Sequence, residues 1–222
     1  MNCYKYVVFT NAVPGRDDEY NRWYDEQHLG DVLAFPGFFR AERFRLIPAG
    51  GQDQEFGYLA IYSFESNDGG ATIAALLEAG AAGGMQISDA LAPGARTILY
   101  RRLAGGRTEL DAASSRFKYL AFTNPVDGRE DEFNQWYADV HVGEVLRLDG
   151  FVSADRLRME PADRTDAQHR YLAIYDLETN DPGATLAAIA DRFASGGFTM
   201  SPAISMDGVA SLGERIADLS VD

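Results

Sequence analysis

Two eight-residue stretches hold the side chains best suited to chemistry: Asn21-Arg22-Trp23-Tyr24-Asp25-Glu26-Gln27-His28 and Asn134-Gln135-Trp136-Tyr137-Ala138-Asp139-Val140-His141. On a helix, the Asn, Tyr and His of each stretch fall at i, i+3 and i+7 and share one face. A histidine there can act as general acid or base near neutral pH. A tyrosine hydroxyl can donate to a developing enolate or phenolate, and an asparagine can orient either. Such a set suits proton abstraction beside a carbonyl, followed by isomerisation, elimination or ring closure, and it calls for no cofactor and no metal. The catalytic expectation therefore falls on His28, His141, Tyr24, Tyr137, Asn21 and Asn134. Substrate contacts are expected from Asn11 and Asn124 at the end of a first strand and from Arg43 and Arg156 on a second. Trp23 and Trp136 complete the set, although an indole at this position is more often a core residue.

A histidine on the inner face of a helix is more often a satisfied structural group than a catalyst. Its recurrence weighs the other way. Between 19–46 and 132–159 only 13 of 28 positions are identical, and they include the Asn, Trp, Tyr, His and Arg just named. Asp25 could orient His28, but its counterpart is Ala138, so that role belongs to the first copy alone and makes the first copy the preferred active one. His169, the one other histidine, is read as solvated surface. With one histidine per copy and no tight carboxylate cluster, a zinc site is disfavoured. The single cysteine, Cys3, excludes an internal disulfide and lacks the partnered setting of a nucleophile. Gly80-Ala81-Ala82-Gly83-Gly84 lacks the strand-then-helix setting of a phosphate loop, and no Gly-x-Ser-x-Gly elbow is present.

The elements that must position these residues come in two sets. Lys5-Tyr6-Val7-Val8-Phe9-Thr10-Asn11 aligns with Lys118-Tyr119-Leu120-Ala121-Phe122-Thr123-Asn124 without a gap. The same offset carries Trp23-Tyr24 onto Trp136-Tyr137 and Tyr58-Leu59-Ala60-Ile61-Tyr62 onto Tyr171-Leu172-Ala173-Ile174-Tyr175. Within the first copy, the patterning predicts a strand over 4–11, a helix over 17–33 and a strand over 38–47. A polar loop over 49–55 and a strand over 57–64 follow. Asp68 then caps a helix over about 70–82, and a strand over 95–103 ends the unit. This β-α-β-β-α-β order predicts an α+β fold of two tandem ferredoxin-like repeats, 1–104 and 117–222, joined by a linker over 105–116. A four-stranded sheet with both helices on one face leaves the other face bare, so the repeats are expected to pack sheet to sheet.

The chain has 222 residues, of which 46% are hydrophobic, enough for such cores. A formal net charge of −14 argues against nucleic-acid and anionic-membrane partners. No apolar run is long enough to span a bilayer. The first residues carry no signal-peptide pattern, and a cytoplasmic location is expected.

The run Asn21 to His28, with Val32-Leu33, Pro36-Gly37-Phe38 and Ala41-Glu42-Arg43-Phe44, resembles the EthD-like branch of the dimeric α/β-barrel superfamily. Asn134 to Arg156 resembles it too, with Asp149 where the first copy has Pro36. The resemblance implies one intramolecular dimeric α/β barrel with a cavity in each half between helices and sheet, and it implies an acid/base role for His28 and His141. The superfamily includes polyketide cyclases, muconolactone isomerases, cofactor-free monooxygenases and haem-degrading enzymes. Nothing beyond one histidine per half suggests a haem ligand pocket. The functional expectation is a cofactor-independent lyase, isomerase or cyclase acting on a small aromatic or polyketide-like carbonyl compound. The alternatives are a cofactor-free monooxygenase and a non-catalytic small-molecule-binding protein. A small-molecule substrate is the expected partner, with room for a homo-oligomer.

Overall fold

The computed structural model describes residues 1–48, 54–103, 115–160 and 169–221. The expected 105–116 linker and 49–55 loop lie largely outside them. The first strand, β1 (Asn2–Thr10), alternates side chains between two faces, and both are buried: Tyr4, Tyr6 and Val8 turn toward helices, Val7 and Phe9 toward the opposite side. A continuous helix follows. Its parts are α1 (Asp17–Trp23), a π-helical turn (Tyr24–His28) and α2 (Leu29–Leu33). Its first turn has no side-chain cap; Asp17, Asp18 and Glu19 offset the positive end of the helix dipole instead. Then come β2 (Phe38–Ile47), β3 (Tyr58–Ser66), α3 (Gly69–Ala79) and β4 (Arg96–Arg102). Asp68 caps α3 by accepting from the Ala71 amide.

The second half runs β5 (Phe117–Thr123), α4 (Glu130–Trp136), a second π-helical turn (Tyr137–His141) and α5 (Val142–Val145). It continues with β6 (Phe151–Met159), β7 (Tyr171–Leu177), α6 (Pro182–Ala194) and β8 (Val209–Ser220). The two halves follow the same strand order, β4-β1-β3-β2 and β8-β5-β7-β6. They join edge to edge, β2 to β8 and β4 to β6, in one closed antiparallel barrel. Their inner faces do pack against each other, as expected, but the hydrogen-bonded edges add something two stacked open sheets would lack: most strand edges are paired within the chain. The two seams are unequal. β2 pairs with β8 from Arg40 to Ile47, whereas β4 pairs with β6 only from Tyr100 to Arg102.

Two glycines fit close approaches. Gly37 has φ +92°, and a Cβ there would sit 2.6 Å from the Glu65 carbonyl oxygen. Gly213 lies in the longer seam, where a Cβ would sit 2.7 Å from that of Phe44.

The core has three parts. One lies between the barrel and the helices of each half, and the third fills the barrel interior with Val7, Phe9, Phe44, Leu59, Leu120 and Leu172 among others. One layer of that interior is ionic. Arg102 binds Asp155 through contacts of 2.6–3.0 Å, and Lys118 lies 2.5 Å from Asp176 and 3.6 Å from Glu42. Lys5 donates to Ser63 at 2.7 Å. Among the described residues no helix is long and apolar enough to cross a membrane.

Candidate functional site

The helix motif residues face the outer side of the barrel sheet, against Arg43 of β2 and Tyr58 and Tyr62 of β3. Arg43 is the organising group. It is 1% exposed, and its guanidinium lies 4.1 Å above the Tyr24 ring, with Tyr20 and Tyr58 also within cation–π range. One end of the fork pairs with Asp25 and the other donates to Asn21 Oδ1 at 2.9 Å. Asn21 Nδ2 donates to the Tyr58 hydroxyl at 3.1 Å, and Tyr58 donates to Asp17 at 2.8 Å. A chain of donors thus runs from a buried cation to a carboxylate at the helix start.

The second half repeats the chain. Arg156 lies 3.9 Å above the Tyr137 ring and donates to Asn134 at 3.2 Å. Asn134 donates to Tyr171 at 2.9 Å, and Tyr171 to Glu130. The difference is at the carboxylate on the guanidinium: Ala138 stands where the first half has Asp25, and the Arg156 Nε, though buried, has no hydrogen-bond partner among the described residues.

The histidines sit one layer away, and the π turn puts them there. The Leu29 amide bonds the Tyr24 carbonyl five residues back, and Val142 bonds Tyr137 in the same way. In a regular α-helix, residues i and i+5 point about 140° apart. The widened turn brings Trp23 and His28 into a stack 4.7 Å between centroids, and Trp136 and His141 likewise at 4.7 Å. Each imidazole also meets the edge of its tyrosine, Tyr24 at 4.9 Å and Tyr137 at 4.8 Å. The tryptophans, expected mainly as core residues, are therefore the platforms of the histidines. Their indole N–H groups donate to the Gln86 and Thr199 carbonyls, which fixes the rings.

Burial pushes both histidines down from 6.5 to about 4, Arg43 and Arg156 adding repulsion and Asp31 and Glu144 opposing it. Both rings are neutral at pH 7, and the Nδ1 of each is buried without a hydrogen-bond partner among the described residues. Burial likewise raises Tyr24, Tyr62, Tyr137 and Tyr175, so all four hydroxyls stay protonated. Tyr62 donates to the Tyr24 hydroxyl at 3.1 Å.

The expected site residues thus divide. Asn21, Tyr24 and Arg43 come together with His28 at the edge of the group, and Asn134, Tyr137, Arg156 and His141 do the same. The asparagines orient the arginine and Tyr58 or Tyr171 rather than the histidine. Asn11 and Asn124 stand apart. Asn11 bonds the Glu55 carbonyl and the Gly57 amide, and Asn124 bonds the Arg170 amide, so both brace the turn before the third strand of their half. His169 is half-buried away from both sites, its Nε2 2.9 Å from the Asp207 carbonyl. The contributions of Tyr58, Tyr62, Tyr171 and Tyr175 were not anticipated. The available signal was the repeated Tyr-x-x-x-Tyr of the third strand, whose period-two spacing aims both rings at the helix. No group of histidine, cysteine and carboxylates among the described residues is arranged to hold a metal ion.

The fold is that of the dimeric α/β barrels. An anthrone oxidase-like protein is similar over 99% of this chain and 93% of its own, with a TM-score of 0.62 at 11% identity. A proposed monooxygenase from Lactobacillus acidophilus NCFM matches over 99% of this chain and 97% of its own, with a TM-score of 0.55 at 10% identity. A mutant chlorite dismutase from Candidatus Nitrospira defluvii in complex with cyanide matches over 97% and 91%, with a TM-score of 0.56 at 11% identity. No protein-family model and no curated protein sequence matches the chain.

Proposed function

We propose that each helix–sheet site binds a small aromatic or polyketide-like carbonyl compound and that His28 and His141 take a proton from it without a cofactor. One observation carries this reading: in both halves a neutral imidazole, its Nδ1 unpaired among the described residues, lies against a tyrosine whose ring is stacked under a guanidinium, Arg43 buried and Arg156 half-buried. A neutral imidazole is the form that accepts a proton. The tyrosine hydroxyl, kept protonated by burial, is a donor for the enolate oxygen, and the guanidinium beneath it favours negative charge nearby. Trp23 and Trp136 offer faces for an aromatic ligand. The outcome is a lyase, isomerase or cyclase reaction. The EthD-like motif and the matched halves support placing the chain in that branch as a tandem duplicate, with units over 1–104 and 117–222.

A second reading uses the same base and passes the substrate carbanion to dioxygen. The oxidase and monooxygenase names among the structural relatives favour it. Oxygen uptake during turnover separates the two.

The test is turnover of enolisable aromatic ketones by His28→Gln and His141→Gln, singly and together. Loss of the base is expected to slow the double variant by roughly 100-fold or more. A folded double variant with the full rate would overturn the proposal.

A further inference from the structure

The symmetry of the two sites is broken at one point, the acid that faces the guanidinium. Arg43 and Arg156 occupy matched positions: stacked on Tyr24 and Tyr137 at 4.1 and 3.9 Å, and held by Asn21 and Asn134 at 2.9 and 3.2 Å. Arg43 has its carboxylate, Asp25, and is 1% exposed. Arg156 faces Ala138 at the matching place and is only half-buried. The Asp25 side chain is itself 36% exposed, so the position its carboxylate fills is reachable from solvent. In the second half that position holds no side-chain carboxylate. The nearest acid of the donor chain, Glu130, is taken by Tyr171, Arg158 and Arg170.

The geometry points to a carboxylate-binding site at Arg156, in which the carboxylate of a small ligand takes the place that Asp25 fills in the first half. The claim rests on and deepens the reading of the helix–sheet site as the ligand site, and it makes the halves unequal in this one contact: Arg43 already carries its own acid, whereas Arg156 has none among the described residues. Three further features agree with it. In the first half the acid takes Nη1 of Arg43, and the matching Nη1 of Arg156 donates to no acceptor among the described residues, so a donor of the fork is left for a ligand oxygen. Burial without a facing acid lowers the guanidinium from its ordinary value, and a bound anion would relieve this. A planar fork also favours a carboxylate over a rounder anion, since it can donate two parallel hydrogen bonds. Because the chain carries a formal net charge of −14, long-range attraction does not draw the anion in, and recognition depends on this contact. An aromatic acid suits the surroundings best, since Tyr137 lies under Arg156 and meets His141 at its edge, with Trp136 stacked beyond.

Benzoate is the probe, and calorimetric titration of the full chain is the measurement. One saturable site per chain is expected. Ala138→Asp gives the second half the acid of the first and is expected to weaken benzoate by roughly 10- to 100-fold. Asp25→Ala gives the first half the vacancy of the second and is expected to raise the stoichiometry to two. Each variant copies a residue the other half already carries, which protects the fold. Absence of saturable benzoate binding, or one site unaffected by Ala138→Asp, would overturn the inference. Binding is read without turnover, so its fate and that of the acid/base proposal separate: histidine variants that lose turnover but keep benzoate binding and its sensitivity to Ala138→Asp support the carboxylate site.

Discussion

Neutral imidazoles, His141 buried and His28 largely so, make the two sites vulnerable to acid in a defined window. An unfolded histidine takes a proton near 6.5, whereas His28 and His141 in the folded chain do so only near 4. Between these values the unfolded state binds more protons, so folding stability contributed by the rings is complete above about 6.5 and falls as pH drops through 4. Each ring is expected to remove on the order of 2 kcal/mol by pH 4. Urea unfolding of the parent chain and of the His28→Gln/His141→Gln variant at pH 7 and pH 4.5 checks this. The parent should lose the larger share of its stability, and equal losses would contradict it. At this scale the sequence was informative about residue types and less so about roles. Asn, Tyr, His and Arg of each half do meet, but the conversation is between Asn, Arg and the strand tyrosines, a cross-element contact that helix spacing does not encode. Asn11 and Asn124 hold backbone groups, because a strand end beside a turn offers an asparagine amides to bind.

The decisive element is the helix with its π turn. Its limits, Asp17 to Leu33, follow from the acidic first turn, the spacing of apolar residues and the Pro36-Gly37 stop. The widened turn at Tyr24–His28 was not legible, because one extra residue shifts the register without breaking the apolar pattern. That shift decides what touches the imidazole. Deleting the exposed Glu26 removes that extra residue, and the histidine then stands four residues after Trp23 in a regular helix, only about 40° around the axis from it. The stack at Trp23 should persist, as should that at Trp136. This is seen as an undiminished imidazole-dependent change in tryptophan emission. Loss of about half of that change would mean that the π turn does more than absorb one extra residue.

For the whole molecule, the matched halves made the barrel predictable, since each sheet needs cover for its bare face. The ionic layer inside it was harder to foresee. Lys5 and Lys118 continue the inward row of Val7-Phe9 and Leu120-Phe122, a place where an apolar residue is the ordinary expectation. Several of its pairs cross between halves. Arg102 of β4 with Asp155 of β6 closes the short seam, so removing one partner strands a buried charge. Asp155→Ala is expected to cost about 3 kcal/mol, and the Arg102→Leu/Asp155→Leu double variant much less. Chemical denaturation checks both, and a double variant worse than the single would show that the pair itself is a net source of stability.

The chain's two tryptophans, Trp23 and Trp136, lie on His28 and His141, so tryptophan emission reports directly on the groups at the centre of the proposed chemistry. A protonated imidazole quenches a stacked indole. Emission followed from pH 8 to pH 3.5 in the folded chain is expected to fall with a midpoint near 4, the value to which burial lowers both rings, and the change should be absent in His28→Gln/His141→Gln. A midpoint near 6.5, the value of a solvated histidine, would contradict the picture of two neutral bases held by the π turns.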